Sequence, residues 1–353
     1  MDLVEMEETS FIADTAAKFA QAELVRLVSA RREGGFDREA WTGVLRKGAE
    51  LGFFSAPLPA DLGGSEMDTL SEAVLVSGLA RGCAGFAATL AVHFAAIAGM
   101  KAFGESREFS EIRSALAEPA PEVGPRILSL ALAEEVYDAA GSEAGSFLAL
   151  LNPDKAFLVV LVDPRGGILP VSPAELTDKR RPAYPGSGLD EMAPCRIAFN
   201  GLEAVSPGSS SVKAAASAVA RLKLLLAAVQ HGNAEGAHAE AAAYARERVQ
   251  TGRRLADHQE VRKVLLRSEM MLEALESYLF RTAVHSGLSD GGAGGAARLF
   301  RFAARAAEEV CLDAMQTLGG YGYMKDYGQE KRLRDAKTIT ALPGSFLSDL
   351  LQA

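Results

Sequence analysis

Met315-Gln316-Thr317-Leu318-Gly319-Gly320-Tyr321-Gly322-Tyr323, followed by Arg334-Asp335-Ala336-Lys337 and Leu342-Pro343-Gly344-Ser345, is the stretch that decides the fold of this 353-residue chain. Upstream of it, Ala303, Ala306, Val310, Leu312, Ala314 and Leu318 recur mostly at two- to four-residue steps, the spacing of a helix with one buried face. Three glycines within four residues then interrupt the helix. Glycine tolerates positive φ and lets another backbone or a ligand come close, so the turn is either a helix end or a ligand contact. The string reads as helix, glycine turn, helix, tight turn.

That string resembles the C-terminal signature of the acyl-CoA dehydrogenase family, a Gln-x-x-Gly-Gly-x-Gly turn followed by Arg-Asp-Ala-Lys. The resemblance implies a mainly α fold with a central β-domain: an N-terminal helical domain over 1–125, a reduced β-domain over 126–210 and a C-terminal helical bundle over 211–353. It also exposes a departure. In the family a Tyr-Glu-Gly-Thr run follows, and its Glu removes the α-proton of the acyl-CoA. Here the matching run is Leu342-Pro343-Gly344-Ser345, and Pro343 has no group that can accept a proton.

Composition agrees with a globular chain carrying a substantial core: 48% of residues are hydrophobic. Asp and Glu number 46 against 37 Lys and Arg, a balance that disfavours unspecific binding to nucleic acid or anionic membrane. Cys83, Cys195 and Cys311 are far apart and lack metal-ligand spacing, which suits buried thiols in a reducing cytoplasm. The acidic start, Met1-Asp2-Leu3-Val4-Glu5, is unlike a signal peptide, and no apolar run is expected to cross a bilayer.

Along the first third, Ile12, Ala16, Phe19, Ala20 and Leu24 predict one helix face, and Trp41, Val44, Leu45, Ala49 and Leu51 a second. Residues 55–64, with two prolines and a glycine pair, predict a connector. Thr69 or Ser71 is a candidate N-cap, and the run from Ala84 to Met100 reads as buried, with His93 a satisfied core histidine. In the middle, 126–133, 146–151, 156–162 and 195–199 read as strands and 172–189 as an exposed loop. The family's flavin-contacting Thr-Glu-Pro-x-x-Gly-Ser-Asp loop is replaced by Ala133-Glu134-Glu135-Val136-Tyr137-Asp138, and nothing resembles its Trp-Ile-Thr strand. Beyond 211 the chain reads as three long helices: 212–248 with Val219, Leu222, Leu226, Val229 and Ala237 inward and Gly252 as C′, then 257–286, a link over 289–295, and 296–318.

Tyr244-Ala-Arg-Glu-Arg-Val-Gln-Thr-Gly is similar to a second family signature, Tyr-Ala-x-Glu-Arg-x-Gln-Phe-Gly-x-Pro, departing at Thr251 and Arg254. The resemblance implies that Arg248 and Gln250 reach the pyrophosphate of a neighbouring subunit's FAD, and that Gln316, Gly319 and Gly320 meet its adenine end. A guanidinium offers forked donors to phosphate, and glycines admit backbone amides; the alternative for Arg248 is an ion pair along its own helix. Relatives that take their base from the long helix do so at a position matching Leu222, and no carboxylate lies between Glu203 and Glu235. Lys223 matches a CoA-holding basic residue, while its acidic companion is Ala220. Glu134, Glu135, His231 and His238 are the remaining candidate bases; none of the patterns predicts a metal site. Elements lent to a neighbour's flavin are kept and those for the chain's own flavin and substrate are lost. The resemblance therefore implies the non-catalytic subunit of a heteromeric (α2β2) enzyme oxidising fatty or steroid acyl-CoA thioesters, with a catalytic partner subunit and an electron-transfer flavoprotein as acceptor.

Overall fold

The computed structural model describes residues 3–34, 37–103, 112, 116, 125–134, 146–150, 156–163, 167–174, 176, 180–182, 188–198, 209–286 and 292–342. The fold is mainly α with a small central sheet. α1 (Leu3–Phe19) runs through a π-helical turn at Ala20–Leu24 into α2 (Val25–Gly34), and α3 (Arg38–Glu50), α4 (Thr69–Ala80) and α5 (Ala84–Phe103) follow. The stripe Ala16, Phe19, Ala20 and Leu24 is buried, as its spacing requires. Trp41 and Val44 are buried too, but Leu51 lies just past the end of α3 and is exposed. α4 is capped one residue earlier than the sequence suggests: the Asp68 carboxylate accepts from Ser71 N at 2.7 Å.

α5 is the apolar centre of the N-terminal helices. Its stretch Ala84–Ala102 is long and apolar enough to cross a bilayer, contrary to expectation from the sequence, yet 89% of it is buried against the rest of the protein. His93 sits inside it with both ring nitrogens used: Nε2 is 2.9 Å from Phe54 O, and Leu128 N donates to Nδ1 at 3.0 Å. Leu128 N thereby makes Nδ1 the acceptor and leaves Nε2 as the donor. Burial pushes the imidazole down to about 4, so it is a neutral structural link between α5 and the first strand.

The sheet has the strand order β4-β3-β1-β2-β6-β5, built from β1 (Leu128–Glu134), β2 (Ser146–Ala149), β3 (Leu158–Asp163), β4 (Gly167–Val171), β5 (Arg180–Pro182) and β6 (Cys195–Ala198). β1 and β3 are parallel and the other pairs antiparallel. Alternation divides the side chains between two cores. Leu128, Leu130, Leu132, Val160 and Val162 join the helical core, while Ala131, Val159, Leu161, Val171 and Ile197 form a second, smaller one. Residues 172–189, expected as an exposed loop, contribute β5 and the fully buried Leu176 and Leu189.

α6 (Ser209–Glu247) is a 39-residue helix, about 58 Å long at 1.5 Å per residue, that packs against α4, α5 and the two long helices after it. A side chain at Gly232 would place its Cβ 1.9 Å from Ser77 O, so α4 and α6 cross backbone to backbone. α7 (Gln259–Ser286), α8 (Gly292–Leu318) and α9 (Gln329–Ala341) complete the bundle. The predicted link over 289–295 is shorter than expected, because α8 already begins at Gly292. Cys83, Cys195 and Cys311 are buried free thiols, and burial pushes Cys83 and Cys311 up to about 12, which makes them inert packing groups.

The Arg-Asp-Ala-Lys run is structural. On α9, Lys331 Nζ lies 2.6 Å from Asp335 Oδ2 and 3.1 Å from Glu191 Oε1, all three being buried. Asp335 also accepts from Leu189 N at 2.7 Å, and Gly188 N donates to Thr338 Oγ1 at 2.9 Å. Burial opposes the Lys331 charge, but the two carboxylates outweigh it and raise its pKa. This ion cluster fastens residues 188–192, which precede β6, to the C-terminal helix.

Candidate functional site: a groove between two glycine turns

α6 does not end on a glycine C′ at Gly252. It ends at Glu247, and Arg248 N still donates to Tyr244 O at 2.9 Å, the last helical bond. The chain then folds into a hairpin of β7 (Val249–Gln250) and β8 (Arg253–Arg254), with Gln250 opposite Arg253. Its two turn residues, Thr251 at φ 51° and Gly252 at φ 81°, are both left-handed, the geometry of a type I′ turn. A β-branched residue at positive φ is a strained choice. The hairpin projects Arg248 and Gln250 outward, and Leu255 N donating to Arg248 O at 2.8 Å fixes the return into α7.

On the facing side, α8 ends at Leu318 and continues as a 3₁₀ turn, Gly319–Tyr323. The glycines have different reasons to be there. Gly319 is left-handed at φ 60°; Gly322 is enclosed, since a Cβ would sit 2.2 Å from Met315 O; around Gly320, apart from its neighbours in the chain, no atom of the described residues lies within 4 Å of where a Cβ would stand. Tyr321 and Tyr327 stack at 5.0 Å, and both approach Tyr244 of α6 at 6.4 Å. These rings join the two turns.

Between them lies an open groove of about 750 Å³. Arg248, Gln250, Gln316, Gly319 and Gly320, the five residues singled out from sequence, all line it. Sequence reasoning did not single out other parts of its wall, among them Tyr244 and Tyr321, and Glu260, Val261 and Val264 from the first turns of α7. Tyr244 and Tyr321 stand inside the quoted strings and could have been found there. The α7 residues carry no local signal and arrive only because the hairpin returns the chain.

The Arg248 side chain is exposed at the rim of the groove. Its guanidinium lies over the Tyr321 ring, 5.8 Å from the centroid, and it makes no ion pair among the described residues. The side-chain amides of Gln250 and Gln316 are exposed and likewise have no hydrogen-bond partner among the described residues. A cation, two amides and an accessible glycine backbone, set beside aromatic and aliphatic walls, can hold an anionic group at one end and a flat ring at the other.

The interior positions differ in kind. Leu222 is fully buried, in an unbroken buried run of α6 that includes Leu224, Leu225 and Leu226. Lys223 is buried beside it, and Ala220 is half-buried. His231 is buried with Nδ1 2.8 Å from Ser77 Oγ, and burial together with Arg81 pushes it down to about 4. His238 is half-buried and also lowered by burial. Glu134 closes β1, and Pro343 and Glu135 lie outside the described residues. No group of three or more potential metal ligands occurs among the described residues.

Comparison with known proteins gives this arrangement its family. The model of the acyl-CoA dehydrogenase N-terminal domain matches residues 6–108, and that of the acyl-CoA dehydrogenase C-terminal domain matches residues 212–346. The chain belongs to the acyl-CoA dehydrogenase family. It is 26% identical to the caffeyl-CoA reductase-Etf complex subunit CarC of Acetobacterium woodii, over 96% of this chain and 95% of that one. Identity to an acyl-CoA dehydrogenase of Bacillus subtilis is 28%, over 86% of each chain. The solved butyryl-CoA dehydrogenase of Megasphaera elsdenii has the same fold, with a TM-score of 0.78 at 23% identity, covering 99% of this chain and 98% of its own. The acyl-CoA dehydrogenase-like fold expected from the glycine-turn string is thus the fold of this chain.

Proposed function

We propose that this family member is a non-catalytic subunit of an FAD-dependent acyl-CoA dehydrogenase and completes the flavin site of a catalytic partner subunit. The observation that carries the reading is the groove: five residues from two distant segments line one open surface, and among the described residues its cation has no ion-pair partner and its side-chain amides no hydrogen-bond partner. They fit a dinucleotide. Arg248 and Gln250 would hold the pyrophosphate, and Gln316 with the Gly319 and Gly320 backbone would meet the adenine end. In the complex, FAD supplies the acceptor for the β-hydride while a carboxylate of the partner takes the α-proton of the thioester. This chain would bind and orient the cofactor and take no part in proton transfer. Leu222, fully buried, offers no base, and Pro343 bears no titratable group.

The reading carries a three-part division at about 125 and 210 and an electron-transfer flavoprotein as the electron acceptor. The Acetobacterium woodii relative is named as a subunit of a reductase-Etf complex, which supports that acceptor. The test is the visible absorbance of the chain purified alone and then with a co-expressed catalytic acyl-CoA dehydrogenase subunit. A colourless lone chain and a complex with about one FAD per pair are expected, and Arg248→Ala or Gln316→Ala should lower that occupancy. A lone chain that is yellow with one flavin each overturns the proposal and makes it a self-sufficient flavoenzyme. Flavin content of the complex that is indifferent to both substitutions makes it a flavin-free binding homologue.

A further inference from the structure

The five residues assigned to the dinucleotide recognise what many adenine nucleotides share. Arg248 and Gln250 suit any pyrophosphate, and Gln316 with the Gly319 and Gly320 backbone suits any adenine. The proposed reaction brings two such ligands together. FAD contains ADP whose ribose keeps a free 2′,3′-diol, whereas an acyl-CoA contains ADP whose ribose carries a 3′-phosphate. Telling them apart requires a group that reads the ribose.

Glu260 is placed to do so. Among the described residues that line the groove it is the only carboxylate, as Arg248 is the only cation, and no ion pair joins the two. It stands in the first turn of α7 beside Val261, with Val264 one turn on, and the two valines give the groove an apolar wall. The start of α7 is tied to the hairpin: His258 Nε2 lies 3.3 Å from Gln250 O, and Leu255 N donates to Arg248 O at 2.8 Å. Glu260 therefore keeps its place relative to Arg248 and Gln250. Its side chain is 81% exposed and meets Lys263 Nζ at 2.9 Å, a surface contact that a ligand hydroxyl can displace or share. Lys263 does not line the groove.

An ionised carboxylate has two acceptor oxygens and no donor. It accepts from two vicinal hydroxyls at once, and it repels a phosphate, which brings a charge of about −1.5 to −2 at neutral pH. An acidic side chain on an unphosphorylated ribose is likewise how Rossmann folds distinguish NAD from NADP. A glutamate in a first helical turn also favours the helix dipole, but that use is indifferent to what occupies the groove.

We infer that Glu260 determines the specificity of the groove: its carboxylate accepts from the 2′- and 3′-hydroxyls of the adenosine ribose of FAD and turns away the 3′-phosphorylated ribose of CoA. The inference rests on the flavin reading of the groove, and adds to it the reason that the substrate of the complex does not compete for the cofactor's place.

The test titrates FAD back into the flavin-depleted complex of this chain with a catalytic acyl-CoA dehydrogenase subunit, against ADP or adenosine 3′-phosphate 5′-diphosphate as competitor. Flavin fluorescence reports displacement of FAD, so nucleotide bound at the partner's substrate site does not count. In the wild type the 3′-phosphate should weaken competition about tenfold or more relative to ADP, and this ratio should shrink from about 0.1 M to about 1 M salt as the charges are screened. Glu260→Gln, which keeps the size and loses the charge, should bring the ratio to within about threefold, and Glu260→Lys should invert it. Melting curves confirm that each variant is folded. A wild-type ratio near one, failure of ADP to compete, or a ratio unmoved by both substitutions overturns the inference. If FAD binding is also indifferent to Arg248→Ala, the flavin reading falls with it; if Arg248→Ala weakens FAD binding, that reading stands and the ribose assignment alone is refuted.

Discussion

The three glycines of the turn offer the sharpest test of whether the groove holds a ligand. Each is replaced singly by alanine. At Gly322 the new Cβ would stand 2.2 Å from Met315 O, nearly an ångström inside any tolerable contact with a backbone atom. The turn must shift, at a cost of about 3 kcal/mol, the upper range for overpacking. At Gly319 space is open but φ is 60°, so alanine costs about 1–2 kcal/mol for its left-handed backbone. Gly320 meets neither obstacle: its φ is not positive, and apart from its neighbours in the chain no atom of the described residues lies within 4 Å of a Cβ there. Alanine there should stabilise the lone chain by about 0.4–1 kcal/mol, through the lower entropy of the unfolded state. If Gly320 is glycine because a ligand approaches its backbone, the same substitution should weaken flavin binding in the complex by about 1–3 kcal/mol, several-fold to a hundredfold in Kd. Urea unfolding of the single chain and flavin titration of the complex give the two readouts. Opposite signs are expected at Gly320. Full flavin affinity in Gly320→Ala, or destabilisation matching Gly322→Ala, would refute the assignment of this backbone to a ligand.

Three other outcomes are expected. Lys331→Met leaves Asp335 and Glu191 buried without their cation and should cost about 3–5 kcal/mol in urea unfolding at pH 7; a loss below 1 kcal/mol would show that the cluster is not what fastens residues 188–192. Leu222→Glu, which reinstates a carboxylate at the alternative base position, should destabilise the fold by several kcal/mol, since the site is fully buried, and should yield no dehydrogenase activity in the lone chain; a stable, active variant would contradict this. Acidification acts through groups of opposite sign. His93 and His231, held at about 4 by burial, contribute stability that is present above their unfolded value of 6.5 and lost as pH falls toward 4, about 3 kcal/mol each. Glu72, raised to about 7 by burial against the pull of Arg221, contributes stability that is present below its ordinary value of 4.5 and lost as pH rises through 7. Glu72→Gln removes that opposing gain, so its unfolding midpoint should fall more steeply than the wild type's between pH 7 and 4.5; parallel curves would count against the raised Glu72.

What could be read from the sequence was whatever is set locally. The stripe Ala16, Phe19, Ala20 and Leu24, the inner face of α6 and the strands β1, β2, β3 and β6 follow from period and composition. Errors arose where a local signal had two structural uses. Gly252 reads as a helix C′, but both it and Thr251 take positive φ, and only the pairing of Gln250 with Arg253 reveals a hairpin. Thr69 and Ser71 look like caps, yet Asp68, one residue before the helix, has the reach to Ser71 N. The prolines and glycines of 172–189 suggest an exposed loop, yet β5 lies there; Leu176 is buried on the second face of a sheet assembled from distant strands, and Leu189 in the helical core. For the same reason the two halves of the groove were identifiable as motifs, while its third wall on α7 was not.

The distribution of polar groups argues for where this chain does its work. Inside, polarity is mostly consumed by the fold: His93 links α5 to β1, Asn233 donates to Arg332 O at 2.9 Å, Gln230 to Ala336 O at 2.9 Å, and the charges of Glu191, Lys331 and Asp335 satisfy one another. Such groups keep elements in register. At the groove the balance reverses. Arg248, Gln250 and Gln316 are held in place by a strained hairpin and a glycine turn, yet apart from the Arg248 guanidinium over the Tyr321 ring their side chains have no partner among the described residues. The left-handed Thr251 costs stability when the protein is alone, while the exposed side chains are hydrated until an occupant replaces the water. A surface built this way is recovered only on binding, and the occupant must bring an anion for Arg248 and acceptors for the two amides. The flavin dinucleotide of the proposed function would meet both requirements, whereas an acyl chain would meet neither.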